Sequence, residues 1–220
     1  MGILDKDQLE TQLIGFFKNY QLVQYGKGEF LFRPGDDFSS VYFVKSGYVR
    51  LFSYDQNGKE VTINIFKPVF FLSLYYALIG EKNHYFFEAL TNVEAWKASK
   101  QGVFDFINNN LEVLRLLMGW LLITVSDLMK NVEMAISGDA YSKVATLIIS
   151  LENYSHRKDG NNIEIKFATT HRLIASLTGL SRETASIQIK KLERKGYISQ
   201  KKSLLVINDI EKMERDFAKD

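Results

Sequence analysis

Two side chains able to read the edges of base pairs stand together behind a serine, at Ser181-Arg182-Glu183-Thr184. An arginine fork can donate two hydrogen bonds to guanine O6 and N7, and a glutamate can accept one from cytosine N4. A few positions on, Ile187 can touch a thymine methyl and Gln188 suits adenine. Around them lie groups suited to phosphate: Thr170, His171, Ser181 and Thr184 within the segment, and Lys201 and Lys202 beyond it. From Ser181 to Lys202 there are seven basic residues and two acidic ones. Taken alone, Arg182 and Glu183 fit a solvated first helical turn equally well; the basic surroundings weigh toward nucleic acid.

The flanking pattern supplies elements to hold these groups. Thr170 is a suitable first cap, because its hydroxyl can accept from a free backbone N–H. Leu173, Ile174 and Leu177 follow at helical spacing. Gly179 permits a left-handed turn. Ser181 caps a second helix whose inner face is Ala185, Ile189 and Leu192, and Gly196 ends it. Helix, Gly-containing turn and capped helix make a helix-turn-helix, in which the start of the second helix meets the major groove. Tyr197-Ile198-Ser199 and Leu204–Ile207 then flank Gln200-Lys201-Lys202-Ser203 as a β-hairpin wing.

Charge divides along the chain. Residues 140–220 carry 15 basic and 10 acidic side chains, whereas residues 1–139 carry 13 and 16. An acidic front and a basic back suggest two domains, the second with a polyanionic partner. There is no cysteine, so disulfides and cysteine-ligated iron–sulfur clusters are excluded. No acid–base pair and no nucleophile–base spacing argues for an enzyme. The lone histidines give no metal site, and no cofactor is expected. Met1–Glu10 has no apolar core of signal-peptide length, and the apolar run from Val69 to Ile79 is too short to span a bilayer. The expected location is the cytoplasm, without membrane association.

The front half reads as a short amphipathic helix over 5–18, then short β-type runs around Val23, Phe30, Val41, Val49 and Val61. Turn signals separate them, among them Asn57-Gly58, a strong hairpin cue. Residues 83–97 supply further strands, and Lys100–Asn108 a short helix. Many short strands with regular turns imply a sandwich or roll. Next comes a long helix over 111–137, with Leu114, Met118, Leu121, Val125, Leu128 and Val132 in steps of three and four. That stripe is a coiled-coil-like seam. Leu117, Trp120 and Ile123 lie off it and can pack on the roll. A helix apolar on two sides needs two partners, and a second copy of itself is favoured over complete burial. Ser137-Gly138-Asp139 breaks the helix, with Asp139 capping the next. His156–Asn162 reads as a polar loop, Ile163-Ile165-Phe167 as a strand, and Ile210–Phe217 as a polar helix or tail.

The run Ala175-Ser176-Leu177-Thr178-Gly179-Leu180-Ser181-Arg182-Glu183-Thr184 resembles the helix-turn-helix of the CRP/FNR family of transcription regulators. Upstream, Gly28-Glu29-Phe30, Gly35-Asp36, Ser46-Gly47-Tyr48 and Gly58-Lys59-Glu60 resemble that family's cyclic-nucleotide-binding roll. The resemblance runs from about residue 20 to residue 207. It implies an α+β chain with a double-stranded, jelly-roll-like β-roll over 1–110, a dimerisation helix over 111–137 and a winged helix-turn-helix over 138–220. It implies a homodimer on near-palindromic double-stranded DNA, with RNA polymerase as a further partner.

Two departures qualify that picture. Where cyclic-nucleotide-binding relatives carry Gly-Glu and Arg-Ser, this chain reads Leu72-Ser73 and Asn83-His84. A buried cyclic phosphate without its arginine is poorly compensated, so weak or no binding of cyclic AMP is expected. Either an apolar effector or an aromatic-filled roll that binds nothing remains, the second being favoured; the effector is unknown. Where the family often repeats an arginine, this chain has Ile187, so a different half-site is expected. The rival reading is a winged-helix protein-interaction module without sequence-specific DNA binding.

Overall fold

In the computed structural model, residues 6–136, 138–157, 162–201 and 204–217 are described. Their contacts divide the chain into two units: residues up to 53 together with 64–129, and 54–63 together with residues from 130 on.

In chain order, helix α1 (Lys6–Phe17) is followed by strands β1 (Gln21–Tyr25), β2 (Phe30–Phe32), β3 (Ser40–Ser46), β4 (Val49–Tyr54), β5 (Glu60–Phe66) and β6 (Phe70–Phe71). The short helix α2 (Leu74–Ile79) precedes β7 (Phe86–Ala89) and β8 (Val93–Ser99); α3 (Lys100–Asn108) and the long α4 (Leu111–Ile136) complete the series. Two four-stranded sheets form, in the orders β1-β8-β3-β6 and β2-β7-β4-β5. Their pairing is antiparallel, with Val41 opposite Ala98 and Val49 opposite Ala89. This is the β-roll expected from the runs and turns.

Strand β3 shows how alternation sorts side chains, because successive residues of a strand face opposite ways. Val41 and Phe43 join Leu13 and Phe17 of α1, Trp96 of β8, Val103 of α3 and Val113 of α4 in one buried cluster. Tyr42 and Val44 belong to the other cluster, with Phe32, Val49, Leu72, Tyr76 and Phe87. The first cluster is aromatic at its centre: the Phe17 and Phe43 rings stack 4.5 Å apart. Full burial of one such side chain contributes about 1.5–3 kcal/mol. At the β3–β4 turn a Cβ on Gly47 would lie 2.3 Å from the Asn92 carbonyl oxygen, at φ 90°. Only glycine fits there.

Leu117 and Trp120 pack against the first cluster, as the helical spacing required. Ile123 does not: it is 61% exposed, because the cluster's contacts along α4 end at Trp120. Strand β6 was not legible in the apolar run, since two residues carry no period.

The second unit contains α5 (Ala140–Ser150), β9 (Ser155–Arg157), β10 (Ile163–Ile165), α6 (His171–Thr178), α7 (Arg182–Arg194), β11 (Ile198–Lys201), β12 (Leu204–Ile207) and α8 (Ile210–Phe217). Asp139 caps α5 as expected, accepting from the Ser142 N–H at 2.8 Å; Ser137 lies outside the described residues. Residues 155–157, of which 156 and 157 were expected as loop, pair with β10 at the edge of the sheet β11-β12-β10-β9. A ladder needs only backbone groups, so a polar sequence does not forbid an edge strand. The tail is a docked helix. Ile210 and Met213 are buried, and the Tyr197 hydroxyl donates to Asp216. That carboxylate, with burial second, pushes the Tyr197 phenol up to about 12.

Candidate nucleic-acid interface

Three local devices set the corner between α6 and α7. The Thr170 hydroxyl accepts from the Leu173 N–H at 3.1 Å and starts α6. Gly179 ends it at φ 71°, a left-handed conformation. The Ser181 hydroxyl accepts from the Thr184 N–H at 3.0 Å and donates to the Thr184 hydroxyl at 3.0 Å. Ala185, Ile189 and Leu192 are then fully buried, which fixes the opposite face of α7 outward.

At about 100° per residue, Glu183, Ile187, Lys190 and Arg194 form one outward stripe with Arg182 beside it. All five are exposed. Lys190 and Arg194 were missed from sequence, although their spacing from Glu183 was there to be read. Gln188 is half-buried on the flank of the stripe, beside Leu192 at the i, i+4 spacing, and its Oε1 is shielded with no hydrogen-bond partner among the described residues.

The Glu183 carboxyl is held below the ordinary carboxylate range. Its own backbone N–H is the main cause, then the Ser181 hydroxyl, with Arg182 contributing. Electropositive N–H groups at a helix start favour an anion in this way. Ionised Glu183 is the hydrogen-bond acceptor that cytosine N4 requires.

Of the phosphate candidates, Thr170, Ser181 and Lys201 are exposed, while His171 and Thr184 are half-buried. The Thr184 hydroxyl is engaged by Ser181. His171 Nδ1 lies 2.9 Å from the Ser186 hydroxyl. Lys201 ends β11 opposite Leu204; Lys202 lies outside the described residues. Within the same unit, the 54–63 hairpin holds α6 by three polar contacts. Lys59 Nζ donates to the Gly179 carbonyl at 2.6 Å. Thr62 and Ser176 share a buried hydroxyl contact at 2.7 Å, and Arg172 pairs with Glu60 at 2.7 Å. These partners stand more than a hundred residues apart in sequence, so no local signal marks them.

The departures in the roll have internal uses. The Ser73 hydroxyl is buried, accepts from the Tyr42 N–H and donates to the Ser40 carbonyl, both at 3.1 Å. Buried Asn83 donates to the carbonyls of Arg33 and Tyr85 and accepts from the Tyr85 N–H at 2.9 Å. Leu72 is core. His84 is exposed, unlike the other three. Around them the interior is aromatic: Phe38 stacks on Tyr76 at 4.7 Å, and Phe32 meets Tyr42 edge-on at 4.8 Å. Burial, then neighbouring phenols, pushes Tyr25 and Tyr76 up to about 12.

A β-roll followed by a winged helix-turn-helix, with a basic stripe outward, defines a DNA-binding regulator. Residues 22–110 match the cyclic nucleotide-binding domain family and residues 142–216 the Crp-like helix-turn-helix domain family. The chain belongs to the CRP/FNR family of transcription regulators. It is similar to the global nitrogen regulator of Nostoc sp., 24% identical over 195 residues, covering 88% of this chain and 87% of that one. It is similar to the transcriptional regulator SdrP of Thermus thermophilus, 26% identical over 182 residues, with coverage of 81% and 85%. A solved CRP/FNR-family regulator from Thermus thermophilus shares the fold at TM-score 0.73 and 23% identity, covering 90% of this chain and 99% of that one. The family evidence points to a transcription regulator rather than an enzyme. Among the described residues no helix is long and apolar enough to cross a membrane.

The Ser181 cap and the Glu183 carboxylate depend on the same helix start. Because the folded value of Glu183 is lowered, its stabilising contribution is full above the ordinary carboxylate range and is lost as pH falls through the lowered value. Carboxyl-detected NMR should show Glu183 titrating below a free glutamate. Ser181→Ala should move that midpoint up and cost about 1 kcal/mol of stability; an unmoved midpoint would detach Glu183 from the cap.

Proposed function

We propose that the chain acts as a homodimeric, cytoplasmic, sequence-specific transcription regulator whose roll does not respond to cyclic AMP. The observation that carries the reading is the outward stripe of α7 beside Arg182. In this reading Arg182, Glu183 and Ile187 meet base edges, with Gln188 on the flank beside them. Thr170, His171, Ser181, Thr184, Lys201 and Lys202 meet phosphate, with Lys190 and Arg194 adding charge along the same face. Ile187 makes a methyl contact where relatives often place an arginine, so the half-site differs from theirs. RNA polymerase is the further partner. The working division is a roll over 1–110, a dimerisation helix over 111–137 and a DNA-binding domain over 138–220.

The dimer rests on α4. Leu114, Met118, Leu121, Val125, Leu128 and Val132 are each 40–63% exposed. Left in water, a continuous stripe of this kind is unfavourable, and a second copy presenting the same stripe is self-complementary. Two α7 helices in successive major grooves are about 34–36 Å apart, which calls for a near-palindromic operator. The cyclic-nucleotide part rests on Ser73 and Asn83, whose polar atoms are engaged within the roll.

Selection of bound duplexes from a random pool should return a near-palindrome. Against it, Arg182→Ala should cost about 1–3 kcal/mol and relax one base position, whereas Lys201→Ala should weaken all sequences alike. A uniform loss for Arg182→Ala removes it from base readout. Retention of no duplex at moderate salt would leave the fold as a protein-docking module. Sedimentation should give a dimer for the wild type and a monomer for Leu121→Glu; a monomeric wild type overturns the α4 pairing. Calorimetric titration with cyclic AMP should be silent, and micromolar binding would refute the reading of Ser73 and Asn83.

A further inference from the structure

We propose that Ser186 is a positioning residue for His171, setting the imidazole tautomer so that Nε2–H becomes an uncharged donor to a DNA phosphate. The phosphate role rests on the DNA-binding reading above, while the tautomer stands by itself. His171 is the first residue of α6 and Ser186 the fifth of α7. Their side chains meet at 2.9 Å between Oγ and Nδ1, a link across the helix-turn-helix that neither cap provides.

One proton lies between these two atoms, and the surroundings of Ser186 say whose it is. Several other helical hydroxyls donate to a carbonyl of their own helix, as Thr124 does to Trp120, Ser150 to Leu147, Ser176 to Leu173 and Thr178 to Ile174, at 2.7–2.9 Å. Ser186 makes no such bond among the described residues; its partner there is His171 Nδ1. A half-buried hydroxyl proton left without an acceptor is costly, so Ser186 donates and Nδ1 accepts through its lone pair. A neutral imidazole carries one N–H, which then resides on Nε2.

The placement gives that proton a use. The first-turn N–H groups of α6 have no acceptor within the helix apart from what a cap supplies, and Thr170 supplies one to Leu173. A phosphate there meets N–H groups together with Nε2–H. Ser186 follows Arg182 by one helical turn, so the relay ties a backbone grip on α6 to the rotation of α7. An uncharged donor releases no counterion. Its contribution is therefore independent of salt, unlike that of a lysine.

The test has two arms, both on the full chain at pH 8. Long-range 15N NMR of the free protein should show His171 as the Nε2–H tautomer, and Ser186→Ala should shift it toward a mixture. An Nδ1–H ring in the wild type overturns the relay. In the second arm a duplex selected by the wild-type protein and a scrambled duplex are titrated. His171→Ala should weaken both by about tenfold, as for loss of one hydrogen bond to a charged group, with the salt slope unchanged. Adding Ser186→Ala to His171→Ala should cause no further loss, because Ser186 acts through His171. His171→Gln should restore part of the affinity, its amide donating outward while its carbonyl accepts from Ser186. Additive losses, a reduced salt slope, or a loss confined to one base position would each overturn the proposal. A pool that enriches no duplex overturns the DNA reading and the phosphate role with it, leaving the tautomer arm to judge the Ser186–His171 bond.

Discussion

A helix begins with backbone N–H groups that its own turns cannot satisfy, and much of this protein's working surface follows from how that debt is met at residue 181. The Ser181 hydroxyl takes the Thr184 N–H, which fixes where α7 starts. With Gly179 turned left-handed two residues earlier, the start point sets the rotation of α7 relative to α6. Rotation then decides which side chains are buried and which meet solvent: Ala185, Ile189 and Leu192 go in, and Glu183, Ile187, Lys190 and Arg194 stay out. The backbone N–H of Glu183, with the Ser181 hydroxyl second, holds the Glu183 carboxyl below its ordinary value.

The roll follows a different constraint, that buried polar groups need partners. Ser73 and Asn83 are buried, and both bond to strand and loop backbone. An amide held by three bonds inside the fold has little left for a visitor. Tyrosine and phenylalanine fill the neighbouring interior, with the Tyr25 and Tyr76 phenols pushed up by burial first. In this roll the buried polar side chains of Ser73 and Asn83 serve the backbone around them.

Helix α4 shows the limit of one chain's ability to cover its own apolar surface. Val113, Leu116, Leu117 and Trp120 are taken up by the core around Phe43. The stripe from Leu114 to Val132 is not. A straight helix has more than one face, and a single roll can cover only the face turned toward it. Such a helix is stabilised to the extent that its remaining face finds a partner.

Local chemistry was legible without coordinates because it is short-range. Caps at Thr170, Asp139 and Ser181, the glycine turns, the alternation of β3 and the 3.6-residue period of α4 each depend on neighbours a few positions away. What needed the tertiary structure was whatever joins distant segments or depends on rotation about a helix axis. Gln188 reads as a base contact by type, and only the fold shows it half-buried on the flank of α7. Ile123 has the right spacing to pack on the roll but lies beyond the reach of the cluster. The edge strand at 155–157 has no apolar period, since its backbone alone makes the ladder. The bond from Ser186 to His171 and the grip of the 54–63 hairpin on α6 arise between segments that the sequence holds apart. Periodicity specifies which face of an element is apolar; what that face or its polar flank will meet is decided when the elements are brought together.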